Sequence, residues 1–183
     1  GNGKGAAYDQ KLKVVKLKSM AETLLFIQKH DFADFDALSD YADAASGRTK
    51  ELTAKIKAAE SRMAEIAVLK THIINYAKTR DIYTAYRKAG YSKKYYDAHE
   101  SDIIIHKAAK KAFDELALKK LPTVKSLQAE YSDLLVQKKL DYAALAKARE
   151  EARQLQIYKA NAEMLLRTDA DEQRQTRERQ QEK

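Results

Sequence analysis

Two adjacent tyrosines, Tyr95 and Tyr96, are followed by His99, Asp102 and His106. Paired tyrosines can act as nucleophiles in DNA strand transfer. That chemistry needs a divalent metal to polarise the scissile phosphate, usually one held by clustered histidines. On a single helix His99, Asp102 and His106 are three and four residues apart and share a face, as a metal site requires. Polar residues on consecutive turns of an exposed helix also fall into this spacing by chance. His30 and His72 have no partner nearby in sequence. The spacing alone therefore assigns no catalytic residue, no metal ligand and no cofactor.

The same region opens with a denser pattern. Between Tyr76 and Tyr96 stand six of the chain's eleven tyrosines, six Lys and Arg, and one acid, Asp81. One reading is a nucleic-acid surface, with cations on phosphates and tyrosines stacked on unpaired bases. The other is packing, because Tyr has an apolar body and one polar end and suits the bend of a helical hairpin. The two are compatible if the rings turn inward and the cations outward. Arg80, Arg87, Lys88, Lys93 and Lys94 are then the candidate nucleic-acid-binding residues. The opposite charge gathers in DFADFDALSDYAD, with five aspartates and no base over residues 31–43. It lacks the glycine and terminal glutamate of a calcium loop and reads as a solvated face with a helix cap.

Long helices must position these groups. One Pro, five Gly and 34% charged residues of both signs make a helical composition. GNGKG reads as a flexible lead-in over residues 1–7, without the spacing of a phosphate loop. A first helix is expected over about 8–30, with Val14, Leu17, Met20, Ala21, Leu24 and Ile27 as its apolar stripe. Asp34 is a candidate N-cap. From there one face recurs in alternating steps of three and four through Phe35, Leu38, Ala42, Ala45, Thr49, Leu52, Ile56, Ala59, Met63, Ile66 and, after Lys70, Ile73. The phase survives Gly47, so one helix over 34–88 of about 80 Å is expected, since each residue adds ~1.5 Å; the alternative is two helices with a kink at Ser46 and Gly47. Gly90 fits its left-handed end. A shorter helix is expected over 100–118, with Ile104, Ala108, Ala112 and Leu116 apolar, up to the single proline, Pro122. The last runs over 123–168 through Leu127, Tyr131, Leu134, Leu145, Ala152, Leu155 and Ala162, interrupted by Lys138 and Asp141. Residues 169–183 form a polar tail that extends it.

The expected fold class is therefore all-α, an elongated antiparallel hairpin of two long coiled-coil-like helices plus shorter ones, in one domain over 8–168. Dimerisation can cover its remaining apolar stripe. The formal charge of +8 favours polyanionic partners. Absence of cysteine excludes disulfides and suits the cytoplasm. No apolar run is long enough to insert in a membrane. The chain lacks an initial Met, so it reads as an excised portion of a longer protein.

The wording of residues 57–116, KAAESRMAEIAVLKTHIINYAKTRDIYTAYRKAGYSKKYYDAHESDIIIHKAAKKAFDEL, resembles the C-terminal region of relaxases. MAETLLFIQKHDFADFDAL before it and LPTVKSLQAEYSDLLVQKKLDYAALAKAREEARQLQIYKANAEMLL after it are similar too, so the resemblance spans about residues 10–168. Relaxases are the mobilization nucleases of bacterial conjugative plasmids and transposons. The resemblance implies an N-terminal domain that nicks a transfer origin with a tyrosine and a histidine-held metal. This chain has no three-histidine motif, so no catalytic residue is carried over. It implies a non-catalytic helical region that assists DNA binding or relaxosome assembly at the transfer origin. DNA and relaxosome or coupling proteins are the implied partners. The alternative from the pattern alone is a coiled-coil interaction or dimerisation rod without nucleic-acid contact.

Overall fold

The computed structural model describes residues 3–117 and 120–181, and every regular element among them is a helix. They are α1 (Gly3–His30), α2 (Phe35–Lys88), α3 (Lys93–Glu115) and α4 (Val124–Gln181). Helix α1 begins at Gly3, where a flexible lead-in is expected from the glycines. Residues 1–2 of that lead-in, the expected helix end at Leu118 and the last two residues of the tail lie outside the described residues. Residues 169–181 continue α4 as helix, exposed throughout.

Local chemistry fixes the boundaries. Asp34 Oδ1 accepts the Ala37 N–H at 2.8 Å, capping the first turn of α2. Gly47 lies inside α2, and its neighbours keep their helical hydrogen bonding, so the phase of the apolar positions carries through it. The C-terminus of α2 is a Schellman motif. The Tyr91 N–H reaches the Tyr86 carbonyl and the Gly90 N–H reaches that of Arg87, both at 3.1 Å. Gly90 has φ of 61°. A Cβ there would meet nothing within 4 Å, so Gly90→Ala is strained by conformation alone. It should destabilise the fold by about 1 kcal/mol in urea unfolding. Thr123 Oγ1 accepts the Ser126 N–H at 3.0 Å and Ser126 Oγ accepts the Thr123 N–H at 3.1 Å, a reciprocal cap that starts α4.

The chain divides into two compact units, residues 1–53 with 143–183, and residues 54–142. In the first unit, Ala42 and Ala45 of α2 meet Ala152 and Leu155 of α4, with Phe26 and Tyr158 packed against them. Ion pairs Asp43–Lys159 and Arg48–Glu151 set α2 and α4 antiparallel there. In the second unit, Ile66 and Leu69 of α2, Ala109 and Phe113 of α3 and Leu127 of α4 form the core. Arg62 clasps Glu130 through two hydrogen bonds, of 2.6 and 3.1 Å. Lys138 bonds Glu60 at 3.2 Å, so α2 and α4 are antiparallel here as well. The two residues that interrupt the apolar phase of α4 stay on its inner side. Lys138 is half-buried on Glu60, and buried Asp141 accepts from the Gln137 side chain at 2.9 Å.

Two faces differ from the sequence reading. On α3 the buried residues are Ile103, His106, Ala109 and Phe113, while Ile104 and Leu116 are exposed. Three consecutive isoleucines allow more than one phase, and Phe113 offers the larger area to bury. On α1 the side turned to the rest of its unit is Ser19, Thr23, Phe26 and Ile27. Asn161 donates to both Ser19 Oγ and Thr23 Oγ1 at 2.9 Å. Val14, Leu17 and Leu24 face solvent instead.

Candidate nucleic-acid interface

The end of α2, the turn at Gly90 and the start of α3 bring the tyrosine-rich segment together. Tyr86 is buried at its centre. Tyr91 meets it edge to face at 5.2 Å, and the rings of Tyr95 and Tyr96 lie 6.3 and 5.9 Å away. The Tyr91 contact joins the two ends of the Schellman motif, which explains a non-glycine residue at φ of 61°. Tyr95 and Tyr96 are half-buried in this cluster, and the Tyr95 ring lies tilted against that of His99 at 4.4 Å. His99 itself has non-helical φ and ψ of −134° and 28°, so α3 kinks there. The helical phase expected to start near residue 100 is the part of α3 beyond this kink. Ser92, just before α3, makes no side-chain cap bond.

His106 leaves the face that helical spacing shares among His99, Asp102 and His106. Its ring is sandwiched between Tyr76, at 4.4 Å, and Tyr83, at 4.3 Å, and it is 3% exposed. Its Nδ1 lies 3.0 Å from Thr79 Oγ1, whose own proton goes to the Asn75 carbonyl at 2.7 Å. The Thr79 oxygen therefore accepts from Nδ1–H, so in the neutral imidazole the proton sits on Nδ1. Among the described residues no three metal-binding side chains converge. The kink at His99 and the inward turn of His106 separate the triplet that spacing placed on one face. No sequence signal marked His106 as a core residue, because the stacking partners lie 23 and 30 positions away on α2.

Burial pushes the His106 pKa down from its ordinary value of 6.5. The unfolded chain therefore binds the proton first as pH falls. Stability is full above about pH 6.5 and decreases below it until the folded histidine also titrates. The urea midpoint should drop between pH 7.5 and pH 5, and His106→Gln should flatten that drop. An unchanged pH profile in the variant would refute this assignment.

The five candidate cations, Arg80, Arg87, Lys88, Lys93 and Lys94, are all exposed. Arg80 touches Asp81 at 3.4 Å, with both side chains in solvent. Among the described residues, the other four make no ion pair. The charge is also segregated at larger scale. Residues 54–142 hold 18 Lys and Arg against 11 Asp and Glu, whereas the remaining residues hold 17 against 16. Nearly all of the chain's +8 thus belongs to the second unit. The tyrosines pack and the cations do not, so this end offers phosphate contacts and a single well-exposed ring, Tyr91 at 55%.

No protein-family model, curated protein or solved structure matches the chain. Among the described residues, no helix is long and apolar enough to cross a membrane.

Proposed function

We propose that the chain is a non-catalytic accessory region of a conjugative relaxase, and that its second unit engages DNA at a transfer origin. The observation that carries the DNA half is the concentration of positive charge in residues 54–142, with exposed, mostly unpaired cations around the Gly90 turn. The relaxase half rests on the wording of residues 57–116. Relaxosome or coupling proteins in the cytoplasm are the partners that this parent implies.

Binding of this kind is dominated by phosphates. Arg80, Arg87, Lys88, Lys93 and Lys94 displace condensed counterions, and the packed tyrosines hold the backbone that presents them. Fluorescence anisotropy with single- and double-stranded origin DNA at two salt concentrations tests it. Affinity should fall steeply with salt on both forms, in the micromolar range or weaker near physiological ionic strength. Weak binding indifferent to salt would remove the DNA half. An upstream reading frame without a histidine-rich nuclease domain would remove the relaxase half. A second reading, a helical interaction or dimerisation module that never touches nucleic acid, draws on the apolar residues exposed on α1.

A further inference from the structure

Helix α1 carries a heptad seam that its own unit does not use. Gln10, Val14, Leu17, Ala21, Leu24 and Gln28 follow one another in alternating steps of four and three. That spacing keeps them on one stripe, the signature of a helix paired with another helix. Yet Val14, Leu17 and Leu24 are 64%, 71% and 49% exposed. Unit packing takes a different side of α1, through Thr23, its bonds to Asn161, and the Phe26 ring stacked on Tyr158 at 4.6 Å. The seam is thus apolar, regular and open.

Its flanks say what can cover it. With Val14 and Ala21 at a and Leu17 and Leu24 at d, Lys11 and Lys18 fall at e and Lys13 at g. All three lysines are exposed, and they form no ion pair among the described residues. A β-branched residue at a with Leu at d suits a two-stranded pairing. A second α1 would set lysine against lysine in either orientation. The acidic segments of this chain offer no seam in exchange. Residues 31–43 already bury Leu38 and Ala42, and residues 169–172 have no apolar face.

We propose that α1 is a docking helix for one helix of a partner protein, with an apolar a/d seam and Asp or Glu on its flanks. Leu17 and Leu24 supply the buried contact, and Lys11, Lys13 and Lys18 select the partner by charge.

Two designed helical peptides of four heptads test it on the full chain. They share a Val/Leu seam and differ only in carrying Glu or Lys at every e and g position. In anisotropy titrations the Glu peptide should bind about tenfold tighter than the Lys peptide, or better. Leu17→Asp with Leu24→Asp should abolish binding, and Lys11→Glu, Lys13→Glu and Lys18→Glu together should reverse the preference. Because these positions are exposed, circular dichroism of each variant should match the parent. Equal binding of both peptides, or of neither, overturns the proposal. So does a dimer of the chain alone that Leu17→Asp dissolves, or capture by anionic vesicles without peptide selectivity.

Discussion

Replacing Arg80, Arg87, Lys93 and Lys94 together by Ala should weaken binding to a DNA duplex at low salt by about 100-fold or more. It should also flatten the plot of log affinity against log salt by about 3 to 4, since each lost phosphate contact removes roughly 0.9 from the slope. The folded state should hardly notice, because all four side chains are in solvent and only Arg80 touches an acid, the equally exposed Asp81. Single- and double-stranded DNA should lose affinity in parallel. Phosphate contacts do not distinguish bases, and the neighbouring tyrosines are occupied with one another. Tyr91→Ala separates the two contributions. A loss confined to single strands would mean that its exposed ring stacks on bases, typically worth about 1–3 kcal/mol per base.

The second large effect lies beneath that surface. Phe113→Ala should destabilise the protein by about 3–5 kcal/mol, the range for a large aromatic removed from a core. Phe113 packs with Ile66, Leu69, Ala109 and Leu127, and Tyr76 meets it edge to face at 5.5 Å. Leu116→Ala, three residues on, should change stability by no more than about 0.5 kcal/mol, because Leu116 is 54% exposed. The urea midpoints of the two variants decide the phase of α3. Had α3 packed through Ile104, Ala108, Ala112 and Leu116, the order of the effects would be reversed.

That comparison marks where the sequence could be read and where it could not. The course of α2 was legible because one face recurs in steps of three and four from Leu38 to Ile73, with only Thr49 and Lys70 polar on it, and a glycine mid-helix costs only about 1 kcal/mol. The cap at Asp34 and the turn at Gly90 were legible because each depends on one residue type in a fixed local position. The face of α3 was not, since Ile103, Ile104 and Ile105 give no phase of their own and tertiary contact with α2 decides. His106 was misplaced for the same reason as α3. Its spacing from His99 and Asp102 put it on the outer face of an exposed helix, but an interior of Tyr76, Tyr83 and Thr79 accepts a neutral imidazole. The stripe of α1 was legible as apolar but its exposure was not, because periodicity shows that a helix wants a partner but not whether its own chain supplies one.

The candidate cations were found by composition, and their exposure is what composition could not provide. The most direct measurement is therefore one that locates the bound DNA on the chain. In a titration of the 15N-labelled protein with an origin duplex, the largest amide shift changes should cluster over residues 78–94, around Arg80, Arg87, Lys88, Lys93 and Lys94. They should fade as salt is raised. Shift changes concentrated instead on the lysines of α1 or the arginines of the α4 tail, with residues 78–94 unmoved, would contradict the account.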